Sequence, residues 1–252
     1  MNQTQTRSLR KRVLSLILAV VMAVSLLPIS AFASGNSKAS TTASTDEFVR
    51  IFHLDCGRKY FSVSEIKGII DQLAENHYTH LQLAFGNDGL RFLLNDMSVE
   101  ANGTTYDSGE VTSAIQYGNQ QYYNAGSKNE LTQSDMNTII DYAKGKGISI
   151  IPMFNAPYHV NALLTAMESK LNITDARKTF AIKGDDGKIT YKDTYLNLAS
   201  QDAVAFVKAL QAKYVAYFAG KGSTYFNFGA DEYYFKGLDN ALYTKFATFV
   251  ND

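Results

Sequence analysis

The 252-residue sequence has no tryptophan, a single cysteine and only three prolines. One cysteine excludes an internal disulfide framework, and Cys56 lies in an apolar, strand-like run where it reads as a small packed hydrophobe. Charge is balanced at 24 basic against 24 acidic residues, with no basic patch, which argues against a nucleic-acid partner. There is no HExxH and no clustered Cys/His set, so no metal is implied. No G-x-G-x-x-G follows a strand, so no dinucleotide or other organic cofactor is implied either. What is abundant is apolar and aromatic material: 46% of residues are hydrophobic, with 16 Tyr and 15 Phe. That is ample for a globular core.

The N-terminus is the clearest non-catalytic signal. The cationic "RSLRKR" precedes the apolar run "VLSLILAVVMAVSLL", then Pro28 and the small-x-small "AFA" of Ala31–Ala33. Residues 1–33 therefore read as a secretory signal peptide. An uncleaved anchor helix is the rival reading, but Pro28 and the Ala-x-Ala pattern stand where cleavage needs them. Those residues hold four basic groups and no acid; without them 20 basic face 24 acidic residues. Residues 34–47, largely small and polar, read as a flexible linker. The expected location is secreted or cell-surface, with no membrane segment left after cleavage. Oligomeric state is not legible.

From Phe48 onward strand-like and helix-like segments alternate. Apolar β-rich runs fall at 48–54, 79–85, 148–154 and 224–229. Amphipathic helical patterns fall at 62–76, 131–147 and 202–222, with a further helix from about Asp239 to Val250. Ser62 with Glu65, and Thr132 with Asp135, have the spacing of capping boxes. Two long interruptions, Gly86–Glu130 and Asn172–Asn197, carry no strong helix. "FAIKGDDGKITY" in the second reads as a hairpin. Strand–helix alternation predicts an α/β fold with parallel crossovers.

Polar or charged residues recur at the C-terminal end of each predicted strand: Asp55 and Arg58, Asn87 and Asp88, Asn155 and His159, Asp231 and Glu232. Such a ring is how a (β/α) barrel builds its site. An open doubly wound sheet is the rival, and it would carry a phosphate loop that is missing here. Asp231 and Glu232 lie in "FNFGADEYYF". In an ordinary loop such a pair is solvated. After a buried strand and among aromatic residues it suits a carboxylic acid kept protonated beside a second carboxylate. Tyr225, Phe226, Phe228, Tyr233, Tyr234 and Phe235 are the expected low-dielectric surround and sugar platforms.

These residues resemble a known family. "FNFGADE" is similar to the Gly-x-Asp-Glu signature of glycoside hydrolase family 20, the β-N-acetylhexosaminidases. "LDCGRKYFSVSEIKGIIDQLAENHYTHLQL" resembles that family's first strand, arginine turn, helix and second strand. "NDGLRFLLNDM" is similar to a loop of its streptococcal surface members, and "ISIIPMFNAPYHVNAL" resembles its third strand and Pro-Gly-His turn, with Tyr158 in place of the glycine. The resemblance implies a (β/α)8 TIM-type barrel of which residues 48–252 are the N-terminal half, about the first four βα units of a truncated catalytic domain. It implies a retaining mechanism in which the substrate's own 2-acetamido oxygen attacks C1. Glu232 is then the acid and base, and Asp231 the acceptor for the acetamido N–H. Arg58, Asp88 and His159 are then sugar-binding residues, although Asn87 and Asp88 both stand at that place and either can face the sugar. The implied partner is a glycan with a terminal β-linked N-acetylhexosamine, with no metal or cofactor. The alternative is a catalytically inactive fragment that at most binds carbohydrate. The family's acetamide pocket is lined by tryptophans, of which this chain has none.

Overall fold

A computed structural model describes residues 48–123, 129–233 and 240–251. The signal-peptide and linker segments lie outside them. Among the described residues no helix is long and apolar enough to cross a membrane.

The framework is a parallel sheet of β1 (Ile51–Asp55), β2 (His80–Asn87), β6 (Ser149–Ala156) and β9 (Asn227–Gly229), in that spatial order. Registers run Ile51↔His80 to Asp55↔Ala84, then His80↔Ser149 onward, so all four strand ends reach one rim. β3 (Gly89–Leu90) folds back antiparallel on the end of β2. The α/β fold with a partial-barrel sheet agrees with the reading of the sequence.

Helices α1 (Val63–Glu75), α3 (Gln133–Gly145), α5 (Gln201–Gly220) and α6 (Asn240–Asn251) follow the four parallel strands in turn. Ser62 and Thr132 form both halves of their capping boxes, with Glu65 and Asp135 reaching back to the cap N–H groups. α1 buries Ile66, Ile70 and Leu73; α3 buries Met136, Ile139, Ile140 and Ala143. On β2 the side chains of Leu81, Leu83 and Phe85 enter this helix-covered core. Phe85 packs at 4.9 Å from the Tyr214 ring and 5.5 Å from Phe218 of α5. The buried Tyr214 hydroxyl donates to the Phe92 carbonyl at 2.5 Å, which satisfies both groups. Burying an aromatic side chain of this kind contributes roughly 1.5–3 kcal/mol.

The first interruption is not irregular. It holds a hairpin, β4 (Val99–Ala101) with β5 (Thr104–Tyr106), and a 16-residue helix, α2 (Ser108–Tyr123). Two internal glycines obscure the helix in the sequence, because glycine weakens a helix on propensity alone. Gly118 is nonetheless required: a Cβ there would run into the carbonyl of Ala162. That contact seats α2 on α4 (Asn161–Lys170), a ten-residue helix in the loop after β6 that buries Ala162, Leu163, Leu164, Ala166 and Met167. The second interruption forms the expected hairpin, β7 (Arg177–Lys183) with β8 (Ile189–Leu196).

α4 has no side-chain cap; the Ala162 N–H donates instead to the Asp88 carbonyl at 2.8 Å. The Asp88 N–H in turn donates to the His159 carbonyl at 2.5 Å. The loops after β2 and β6 are thereby clamped together at the rim.

Candidate active site

Arg58 follows β1 by three residues. Its Nε donates to Asp88 Oδ2 at 2.9 Å and one terminal nitrogen donates to Asp55 Oδ2 at 3.1 Å. The other terminal nitrogen lies 2.9 Å from His159 Nδ1. Guanidinium can only donate, so in the neutral ring Nδ1 accepts and Nε2 carries the proton; in the protonated ring Nδ1–H is the donor that faces Asp88 Oδ2, 3.5 Å away. His159 Nε2 then donates to Glu232 Oε2 at 2.9 Å. On the same rim Asn155 Nδ2 donates to Asp231 Oδ1 at 2.7 Å. The structure thus joins Arg58, Asp88, His159 and Glu232 in one chain of contacts, with Asp231 tied to Asn155 of the same β6 segment.

Asn87 and Asp88 make different contacts. Asn87 is buried and bonded to Asp55 and Asn155, inside the sheet end. Asp88 carries the contact with Arg58 and lies 3.5 Å from His159.

Backbone strain gathers here. Of seven described non-glycine residues at positive φ, four are Asp88 (61°), His159 (56°), Ala230 (61°) and Glu232 (53°). Each costs about 1–2 kcal/mol for an L-residue and persists because its surroundings over-determine it. The left-handed residue of the Pro turn is His159, so Tyr158 needs no glycine-like conformation. Tyr158 instead stacks on Tyr195 at 4.2 Å and backs the His159 ring at 3.9 Å.

Burial acts to lower the His159 pKa and to raise that of Asp88. For His159, the hydrogen bond and charge of Asp88 and the bond to Glu232 outweigh that burial and the charge of Arg58, and raise its pKa. For Asp88, the bonds from His159 and Arg58 outweigh burial and lower its pKa. Burial, then the charge of Asp55, pushes the Cys56 thiol far up, which removes it as a nucleophile.

The aromatic surround differs from expectation. Tyr233 is buried in the core against Tyr195 and Phe246, where it anchors the chain after Glu232. Phe226 packs toward Phe85 and Phe218, while Tyr225 and Phe228 are exposed. Tyr234 and Phe235 lie outside the described residues. The Glu232 side chain is 67% exposed, and no aromatic cage encloses it among the described residues. The reason is positional: β9 has β6 as its only strand neighbour among the described residues. Two cavities, of about 320 and 370 Å³, are lined by residues such as His80, Ser149 and Tyr225 or Ile51, Ile151 and Phe228. Neither includes a carboxylate of the rim. Among the described residues no group of three His, Cys, Asp or Glu is set to hold a metal.

Carboxylates, an arginine and a histidine gather at the C-terminal rim of a parallel, helix-covered sheet, the place where a (β/α) barrel builds its site. The profile of the glycosyl hydrolase family 20 catalytic domain matches residues 49–244. The chain belongs to glycoside hydrolase family 20. A structure of StrH, a pneumococcal virulence factor studied for N-glycan recognition and hydrolysis, is similar at 42% identity and a TM-score of 0.72, over 81% of this chain and 49% of that one. A second pneumococcal StrH structure, from work on its tandem GH20 catalytic modules, gives 41%, 0.71, 81% and 49%. The family 20 β-N-acetylhexosaminidase of Streptomyces coelicolor A3(2), at 22% identity and a TM-score of 0.56 over 81% of this chain and 37% of that one, shares the fold. The chain spans about half the length of the StrH chains it matches.

Proposed function

We propose that the protein is a retaining exo-β-N-acetylhexosaminidase that removes terminal β-linked GlcNAc or GalNAc from glycans by substrate assistance. The observation that carries this reading is the His159–Glu232 contact, joined through Asp88 to Arg58 on the rim where the family's Gly-x-Asp-Glu signature falls. Glu232 Oε2 accepts from His159, which leaves the other oxygen to carry the proton delivered to the glycosidic oxygen. The sugar's acetamido oxygen attacks C1 as that bond breaks, forming an oxazolinium ion. Asp231 accepts the acetamido N–H and balances the positive charge that develops. Glu232, now ionised, takes a proton from the water that opens the ring, so the anomeric configuration is retained. Arg58 and Asp88 bind hydroxyls of the terminal sugar, and His159 orients Glu232. The N-terminal cationic, apolar and small-residue pattern supports export, with action outside the cell or at its surface.

Hydrolysis of a chromogenic β-GlcNAc glycoside tests this. The chain should turn it over, and Glu232→Gln should lower the rate by about a hundredfold or more, since it removes both general acid and general base. Equal rates for the two would defeat the assignment. A second reading, in which this chain binds sugar without cleaving it, is supported by the 67% exposure of Glu232 on a four-strand parallel sheet. Saturable binding of the glycoside without release of the chromophore would select it.

A further inference from the structure

We infer that Asn155 is a positioning residue for the reaction: its carboxamide holds Asp231 as a hydrogen-bond acceptor and fixes the turn that carries both carboxylates. The inference rests on the reading of Asp231 as the acetamide-binding group.

Asn155 is 1% exposed, and both amide hydrogens and the amide oxygen have partners. Nδ2 donates to Asp231 Oδ1 at 2.7 Å and to Asn87 Oδ1 at 3.3 Å. Oδ1 accepts from the Ala230 N–H at 3.2 Å. That last bond sets the orientation of the amide, because a flipped group would set N–H against N–H. The neighbour is fixed in the same way: Asn87 Nδ2 donates to Asp55 Oδ2 at 2.9 Å, leaving its oxygen for Asn155. Asp55 also accepts from the backbone N–H of Gly57 and Arg58. One side chain from each parallel strand end therefore enters a single line, Asp55–Asn87–Asn155–Asp231.

The direction of this line has a chemical consequence. An amide NH2 only donates, so Asp231 Oδ1 must present a lone pair to it. The second carboxylate oxygen remains for the substrate's N–H. The same amide supports the strained turn. Gly229 and Ala230 both have positive φ, and a Cβ on Gly229 would collide with Asn155 Oδ1. The bond from Ala230 to Asn155 carries the tie between this left-handed segment and β6 one residue past the Ala156–Gly229 pairing.

Asn155→Asp separates a chemical role from a merely structural one. The introduced carboxyl has the same shape, but it can donate to Asp231 only when protonated. At higher pH two adjacent carboxylates repel and Asp231 loses its support. The measurement is kcat/KM of the full chain for a chromogenic β-GlcNAc glycoside across pH, for wild type, Asn155→Asp and Asn155→Ala. Calorimetric binding of a thiazoline analogue of the oxazolinium ion and melting temperatures accompany it. We expect Asn155→Ala to lose about ten- to a hundred-fold at all pH values. The Asn155→Asp to wild-type ratio should climb as pH falls, and analogue affinity should follow the same order. An active wild type with a pH-independent Asn155→Asp ratio overturns this inference and leaves the functional reading intact. A wild type that neither turns over the glycoside nor binds the analogue overturns both. If a variant is too unstable to assay, the Asn155 side-chain amide resonance in wild type and Asp231→Ala decides: it should shift and exchange faster in the variant, and an unmoved signal overturns the inference.

Discussion

His159 is the residue on which the rim's electrostatics turn. It faces Asp88 and Arg58 through one ring nitrogen and Glu232 through the other. Its pKa is raised on folding, so the folded state binds its proton more tightly than the unfolded chain does. The resulting stability is fully present below the ordinary imidazole pKa and is lost as pH rises through the raised folded value. Asp88 has the opposite sign: its lowered pKa contributes stability above the ordinary carboxylate value, lost as pH falls through the depressed one. Melting temperatures of wild type and His159→Phe across pH should therefore differ most in mildly acidic solution. The gap should narrow as pH rises past the imidazole range. A gap that widened with pH would contradict the Asp88–His159 pairing. The sequence marked Arg58, Asp88, His159, Asp231 and Glu232 as rim residues, because each follows a predicted strand end. The bonding of Asn87 and Asn155 was not legible. It depends on strand register, and an asparagine after a strand is ordinarily just a turn residue.

Elements were legible where side-chain pattern and local chemistry agreed. α1 and α3 show both an apolar face and a capping box, and both are found where the pattern puts them. β9 is three residues where the apolar run suggested six, since only β6 pairs with it among the described residues. α2 escaped notice because Gly109, Gly118 and Asn119 dilute its apolar face. Asp107, whose carboxylate accepts from the Glu110 N–H at 2.8 Å, was the signal available for its start. Asn119 gives that helix its purpose. From a fully buried position it accepts from the Leu90 N–H at 3.0 Å and donates to the Leu90 carbonyl at 2.8 Å, holding β3 in place just beyond Asp88. Asn119→Ala leaves both backbone groups buried and unpaired, and should cost about 1–3 kcal/mol in denaturant unfolding. A loss below a few tenths of a kcal/mol would show that α2 does not brace the rim.

At the scale of the molecule, four parallel strands bring four loops to one rim, and the functional reading depends on that convergence. The fold class was legible from strand–helix alternation and from polar residues at successive strand ends. What pattern alone could not give was the environment of the carboxylates. Glu232 is largely exposed, and Tyr233, expected among the sugar platforms, is buried in the core. Adjacent residues share a composition, while their side chains part according to how the chain turns after β9. Half the length of the matched StrH chains is represented here.

In the proposed reaction the substrate's acetamide, held by Asp231, is the nucleophile while Glu232 supplies the proton. Comparing kcat/KM for a chromogenic β-GlcNAc glycoside with that of its N-trifluoroacetyl counterpart addresses it most directly, because fluorine withdraws electron density from the attacking carbonyl oxygen without altering the leaving group. The N-trifluoroacetyl glycoside should react more slowly, on the order of a hundredfold or more, with a shared dependence on Glu232. Equal rates for the two glycosides would mean that a different group attacks C1.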